Sequence, residues 1–250
     1  MSADIRLKII LAIIVAAIIA IFTMAPIAQD PAYHDFADRR GIFGIANFFN
    51  VLSNLPFVIV GVMGMRLIVL RRAGGGLAEL QGQYLTFFAG VFLTGFGSAY
   101  YHYQPGNQTL LWDRLPMTIA FMALFSAIVG EYISTRLARN LFVPLLITGV
   151  ASVVYWYVTE RYGHGDLRAY ALVQFLPVLL IPLILWLFDS SLHNDKYIWG
   201  VIGAYALSKL MELFDARLYA IISLVSGHSL KHLAAAFGTL IYYWALRRRR

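Results

Sequence analysis

The chain has 250 residues, of which 60% are hydrophobic and only 13% charged, against about 25% charged in a soluble domain. It contains no cysteine, which excludes disulfides, cysteine nucleophiles and Cys-type zinc sites. The net charge of +7 includes the terminal Arg247, Arg248, Arg249 and Arg250, a pattern of a cytoplasmic membrane anchor rather than of a nucleic-acid-binding protein.

Apolar runs near twenty residues recur along the sequence, the length that crosses a bilayer. They predict an all-α, polytopic membrane protein with a single integral membrane domain over residues 1–250. The first run covers 7–25, behind Arg6 and Lys8. A signal peptide shares that basic start and apolar core. The run is long for one and no clean small-x-small cleavage site follows, so a retained helix is expected. Residues 26–43 are polar and mixed. The second span is expected over 45–70, closed by Arg71, Arg72 and a Gly-rich stretch, and the third over 84–103. The turn Gln104-Pro105-Gly106-Asn107 leads into the fourth, over 111–131. The fifth and sixth are expected over 141–158 and 169–188, the seventh over 197–214 and the eighth over 226–246.

Eight spans put both termini on one side of the membrane. That side carries twelve Lys and Arg, including Arg66, Arg136, Arg139, Lys196 and the four terminal arginines, against six on the other. The bias places the termini in the cytoplasm. The ends of the spans that carry Ser98, His102 and Asp113 then face outward, as does the start of the eighth.

A charged or strongly polar side chain inside a span costs roughly 2.5–3.5 kcal/mol on insertion scales, so such residues face the bundle interior and mark function. His228 and His232 are four apart, on one helix face, one turn from each other. Ser98 and His102 share the same spacing near the outer end of the third span. The tight turn makes the third and fourth spans antiparallel neighbours, which lets Asp113 sit beside His102. Three histidines, a carboxylate and a hydroxyl thus converge at one depth. Singly, each has a plainer role: an interfacial or hydrogen-bonded histidine, an N-cap for Asp113, small-residue packing beside Gly95 and Gly97 for Ser98. His34 and His164 fall in loops on the same side and His193 on the other; of these only His34 could approach the site.

The chemistry that fits this set is metal-assisted hydrolysis. His102, His228 and His232 are candidate Zn²⁺ ligands, leaving a fourth position for water, whose pKa the metal lowers from 15.7 to about 7. Asp113 is the candidate proton acceptor and Ser98 the candidate oxyanion donor. A site inside a helical bundle would take its substrate from lipid, so an amphiphile is expected, with the bilayer as the other partner and no nucleic acid.

The order Asn47-Phe48-Phe49-Asn50-Val51-Leu52-Ser53-Asn54, Ser98 with His102, Asp113, and Gly227-His228 with Lys231-His232 resembles the alkaline ceramidase family. That family sits within a wider membrane-hydrolase superfamily that includes the adiponectin and progestin receptors. The resemblance runs from about Tyr33 to the end of the chain. It implies a seven-helix catalytic core over 45–246, with the helix at 7–25 as an addition. It also implies a zinc amidase that cleaves ceramide-like lipids to a sphingoid base and a fatty acid, with zinc on His102, His228 and His232, water activated by Asp113, and Ser98 completing the site. Eukaryotic members carry an acidic calcium-binding segment and a glutamate where this chain has Asn47; Asp35 and Asp38 remain as candidate calcium ligands. The arginine tail and the segment Tyr33–Asp38 have a bacterial look, so the expected location is a bacterial inner membrane with the active site on the periplasmic side.

Two other classes compete. A lipid- or ligand-sensing receptor of the same superfamily would keep a similar constellation with a structural zinc, and turnover of a lipid amide separates it from the hydrolase. A retinal-type photoreceptor is raised by Lys231 in the final span, since a buried lysine forms Schiff bases. Lys231 lies about 100° round the helix from His232, however, where it can snorkel or pair with Glu212 or Asp215. Lys209, Glu212 and Asp215 read as a structural ion-pair cluster or a gate on the substrate path.

Overall fold

In the computed structural model, which describes residues 1–190 and 192–249, the chain is a bundle of helices with no strand among the described residues. Arg250, counted above in the charge bias, lies outside them. The helices are α1 (Ala3–Thr23), α2 (Phe48–Leu52), α3 (Leu55–Val69), α4 (Gln81–Tyr103), α5 (Asn107–Tyr132), α6 (Thr135–Arg161), α7 (Arg168–Leu187), α8 (Lys196–Leu213), α9 (Asp215–Ile222) and α10 (Gly227–Arg248). Five segments are long and apolar enough to cross a membrane: α1, Phe48–Val69, α5, α6 and α7. The other long helices, α4, α8 and α10, carry most of the polar residues singled out above, which lowers their hydropathy.

The expected second span is broken in two, at Ser53 and Asn54. The Asn50 carbonyl accepts from Ser53 Oγ at 3.0 Å and from Asn54 Nδ2 at 2.7 Å. Such side-chain bonds offer the backbone an alternative to the helical ladder. Pro56, which lacks an N–H, then suits the first turn of α3. The fourth span starts earlier than expected, at Asn107, so Asp113 lies well inside α5 rather than at its N-cap, which is Gly106. Residues 215–222, expected to connect two spans, form α9.

Helices α3, α4, α5, α7, α8 and α10 pack in a ring, each against the next, and α10 closes it on α3. All six line one interior cavity. Helix α6 lies outside the ring against α5 and α7, and α1 lies against α7 with only Ile10 buried. Small residues set the closest approaches. A Cβ added at Gly95 would meet Val58 of α3, and one at Gly97 would strike the Trp112 carbonyl of α5. This is the close backbone packing that small residues allow between membrane helices. It fixes Ser98, next to Gly97, against the turn of α5 that carries Asp113.

The end of the bundle away from the histidines is locked by a buried ion pair. Arg249 donates from Nη1 and Nη2 to the two Glu131 carboxylate oxygens at 2.8 Å each, with side-chain exposures of 1% and 0%. Tyr84 Oη donates to Glu131 at 2.9 Å, and Arg249 Nε donates to the Gly75 carbonyl at 3.2 Å. The last residues of α10 are thereby tied to α5 and to the loop before α4.

Candidate metal centre and active site

Ser226 opens α10: its hydroxyl accepts from the Ser229 N–H at 3.3 Å, satisfying an orphan donor of the first turn. Asp215 at the start of α9 accepts from the His228 N–H at 2.7 Å through Oδ1 and from the Ala37 N–H at 3.1 Å through Oδ2. This corrects its reading as a member of the α8 ion-pair cluster; Asp215 instead pins the entry of α10 and the N-terminal segment to each other. His228 and His232 follow on one face of α10 and meet His102 from the last turn of α4.

The three imidazoles converge. His102 Nε2 lies 3.2 Å from His232 Nε2 and 3.3 Å from His228 Nε2, and all three rings are buried. One ligand atom from each falls within 4.8 Å of the others, and this is the only such group of three or more among the described residues. Zinc binds imidazole nitrogen at about 2.0–2.1 Å in tetrahedral geometry, which puts two nitrogens of one site ~3.3 Å apart. The observed separations fit that donor set.

The tautomer of His232 follows from its neighbours. Ser53 Oγ donates to the Asn50 carbonyl and lies 2.8 Å from His232 Nδ1, so its remaining role there is acceptor. The proton then sits on Nδ1 and the Nε2 lone pair points at the other two histidines. Asn50 supports the same corner: its Oδ1 accepts from Ser229 Oγ at 2.8 Å and its Nδ2 donates to the Asp38 carbonyl at 3.0 Å. Asn47 Nδ2 donates to the His102 carbonyl at 2.8 Å. These partners fix the orientation of the imidazoles, the part that outer-shell groups play where histidines bind a metal.

Ser98, Asp113 and His232 line the cavity together, and both Ser98 and Asp113 are buried. Beyond them the cavity is mostly apolar, lined by Phe57, Phe87, Val91, Phe121 and Leu124 among others. The arrangement offers a carboxylate and a hydroxyl at the polar end of an apolar chamber.

The N-terminal segment covers the histidines. Phe36, buried, packs its ring 4.7 Å from both the His102 and His228 ring centroids. His34 stays apart: Nδ1 lies 2.9 Å from Tyr101 Oη and Nε2 3.0 Å from Asn107 Oδ1. Asp35 pairs with Arg39 at 2.8 Å and Asp38 with Arg40 at 2.7 Å, so the candidate calcium ligands are engaged by arginines. Burial pushes the Asp38 carboxyl up, but the Arg40 hydrogen bonds and charge more than offset this and leave it below the ordinary range. Lys231 pairs with Glu212 at 2.7 Å and Lys209 pairs with the same carboxylate at 2.8 Å.

Ser53, Asn50 and Phe36 hold the site without having been singled out as site residues. The only signal for the first two was the Asn- and Ser-rich opening of an otherwise apolar run. Phe36 gave none. None of the curated proteins matches the chain. Residues 42–248, from the end of the covering segment to the last turn of α10, match the family model described as Ceramidase. On that match the chain belongs to the ceramidase family.

Proposed function

We propose that the protein is a zinc-dependent intramembrane amidohydrolase that cleaves the N-acyl bond of ceramide-like lipids to a sphingoid base and a fatty acid. The observation that carries this is the convergence of three buried imidazole nitrogens, with His232 among them lining the same mostly apolar cavity as Asp113 and Ser98. Family membership supports a ceramide-hydrolysing activity.

His102, His228 and His232 would hold the zinc, which would supply an acidified water as nucleophile and a Lewis acid for the amide carbonyl. Asp113 accepts the proton of that water and returns it to the leaving amine. Ser98 donates a hydrogen bond to the carbonyl oxygen as negative charge gathers there. Ser53 keeps the proton of His232 on Nδ1 and so holds Nε2 free for the metal. Phe36 and the ring of helices keep bulk water from the imidazoles, which strengthens each of these interactions. The apolar wall takes hydrocarbon.

The bias of Lys and Arg supports an orientation with both termini in the cytoplasm and the site towards the outer half of the membrane. Single cysteines at Gln108 and Gly74, both exposed, test this by labelling in intact cells: 108 labels and 74 is protected, and the reverse pattern inverts the topology. The function itself is tested by incubating purified protein with a panel of N-acyl lipids, with and without a chelator. Chelator-sensitive release of fatty acid is expected. Absence of turnover across the panel with zinc bound favours a receptor with a structural metal.

A further inference from the structure

The wall of the cavity formed by α8 and α10 carries charge that the reaction does not use. Glu212 Oε1 accepts from Lys231 Nζ at 2.7 Å and Glu212 Oε2 from Lys209 Nζ at 2.8 Å. Two ammonium groups share one carboxylate, and side-chain exposures of 16%, 36% and 24% for Lys231, Lys209 and Glu212 show groups facing an opening rather than sealed in packing. All three line the same cavity as Asp113 and His232. The phenol Oη of Tyr205, on the same wall, is buried with no hydrogen-bond partner among the described residues. Lys209 Nζ lies 5.8 Å from the centre of that ring.

A cation inside a membrane bundle is costly unless it is paired. Even with Asp113 ionised, the two carboxylates only balance the two lysines. A divalent ion on three neutral imidazoles then leaves the chamber positive. Each lysine keeps N–H donors beyond the one given to Glu212, since an ammonium has three. Tyr205 adds a hydroxyl. Donors and charge together call for an anionic oxygen group on whatever fills the cavity.

We propose that Lys209, Lys231 and Tyr205 form a subsite for a carboxylate or phosphate carried by the lipid in this cavity. It rests on the reading of the cavity as a lipid-amide site and adds the chemical class of group recognised beside the reacting amide. Two sources offer that chemistry: the carboxylate of the released fatty acid, and an acidic headgroup on the substrate.

The test is equilibrium binding rather than turnover, so it stands apart from the success or failure of the amidase reading. Purified zinc-loaded protein is titrated with hexadecanol, palmitate and hexadecyl phosphate, each displacing a neutral fluorescent lipid. The wild type binds at least one of the two anions about tenfold to a hundredfold more tightly than the alcohol, the range of a charge-assisted hydrogen bond. Tighter palmitate identifies the released acid as the source, and tighter hexadecyl phosphate an acidic headgroup. Lys209→Met and Lys231→Met each leave Glu212 paired with the other lysine, so the fold is kept and unchanged hexadecanol binding verifies it. Either substitution removes most of the anion preference. Equal affinity for alcohol and both anions in the wild type overturns the proposal. So does a preference that survives both substitutions, because the metal alone then carries it.

Discussion

Ser53 Oγ stands 2.8 Å from His232 Nδ1, across 179 residues of sequence, and donates its own proton to the Asn50 carbonyl. The break between α2 and α3 exists where this contact is made. Removing an outer-shell partner of a metal ligand typically lowers metal affinity or activity 10–100-fold. Ser53→Ala is expected to weaken zinc binding by about that factor with the helical content unchanged, as read by competition with a chromophoric chelator. Wild-type affinity in the alanine variant removes this role.

Asp113→Asn keeps the shape of the side chain but cannot accept the proton of the attacking water. It should retain zinc and lose hydrolysis. Ser98→Ala is milder, because loss of one oxyanion donor costs about 2.7–4 kcal/mol, a factor of roughly 10²–10³ in kcat. Replacing His102, His228 or His232 should be worse than either, since the metal itself is lost. Zinc content and turnover measured on the same samples give the ordering. Near wild-type turnover in Asp113→Asn with zinc retained would show that the carboxylate is not the base.

The backbones of α4 and α5 touch at Gly97, where a Cβ would strike the Trp112 carbonyl. Gly97→Ala is expected to push the two helices apart, separating Ser98 from Asp113. Overpacking of this kind costs about 1–3 kcal/mol. A lowered melting temperature together with reduced kcat is predicted. An alanine variant with wild-type stability and turnover would contradict this account of how the two residues are brought together.

The Glu131–Arg249 pair is sealed at the far end of α10 from the histidines. Breaking a buried pair by removing one partner costs about 3–5 kcal/mol, whereas replacing both is far less severe. Arg249→Met and Glu131→Gln should therefore each destabilise strongly, and the double variant should recover much of the loss. Thermal unfolding in detergent reads both. A double variant as unstable as the sum of the singles would mean that the two residues act independently.

Much of the site could be read in the sequence because it rests on local spacing. His228 and His232 face one way because a helix repeats every 3.6 residues. The Gln104–Asn107 turn is short, so α4 and α5 had to be neighbours. What could not be read depends on contacts between distant residues. The kink at Ser53 lies inside an apolar run that a hydropathy window treats as one span. Phe36 packs edge-on or tilted against two histidines far away in the chain, and nothing in its neighbours marks it. Proximity in sequence groups Asp215 with Lys209 and Glu212, but the end of α8 turns it towards the His228 and Ala37 N–H groups. Polar residues next to a span look like loop until packing shows them helical, which hides the starts of α5 and α9.

A zinc ion on the three histidines that drives hydrolysis of a lipid amide ties turnover to metal content. Zinc is titrated into metal-stripped protein while fatty acid release from N-palmitoyl sphingosine is followed. Turnover is expected to rise in proportion to zinc, to reach its plateau at one ion per chain, and to stay at background in the His228→Ala/His232→Ala double variant. Turnover indifferent to zinc, or full zinc binding at these histidines with no release of fatty acid, would contradict it.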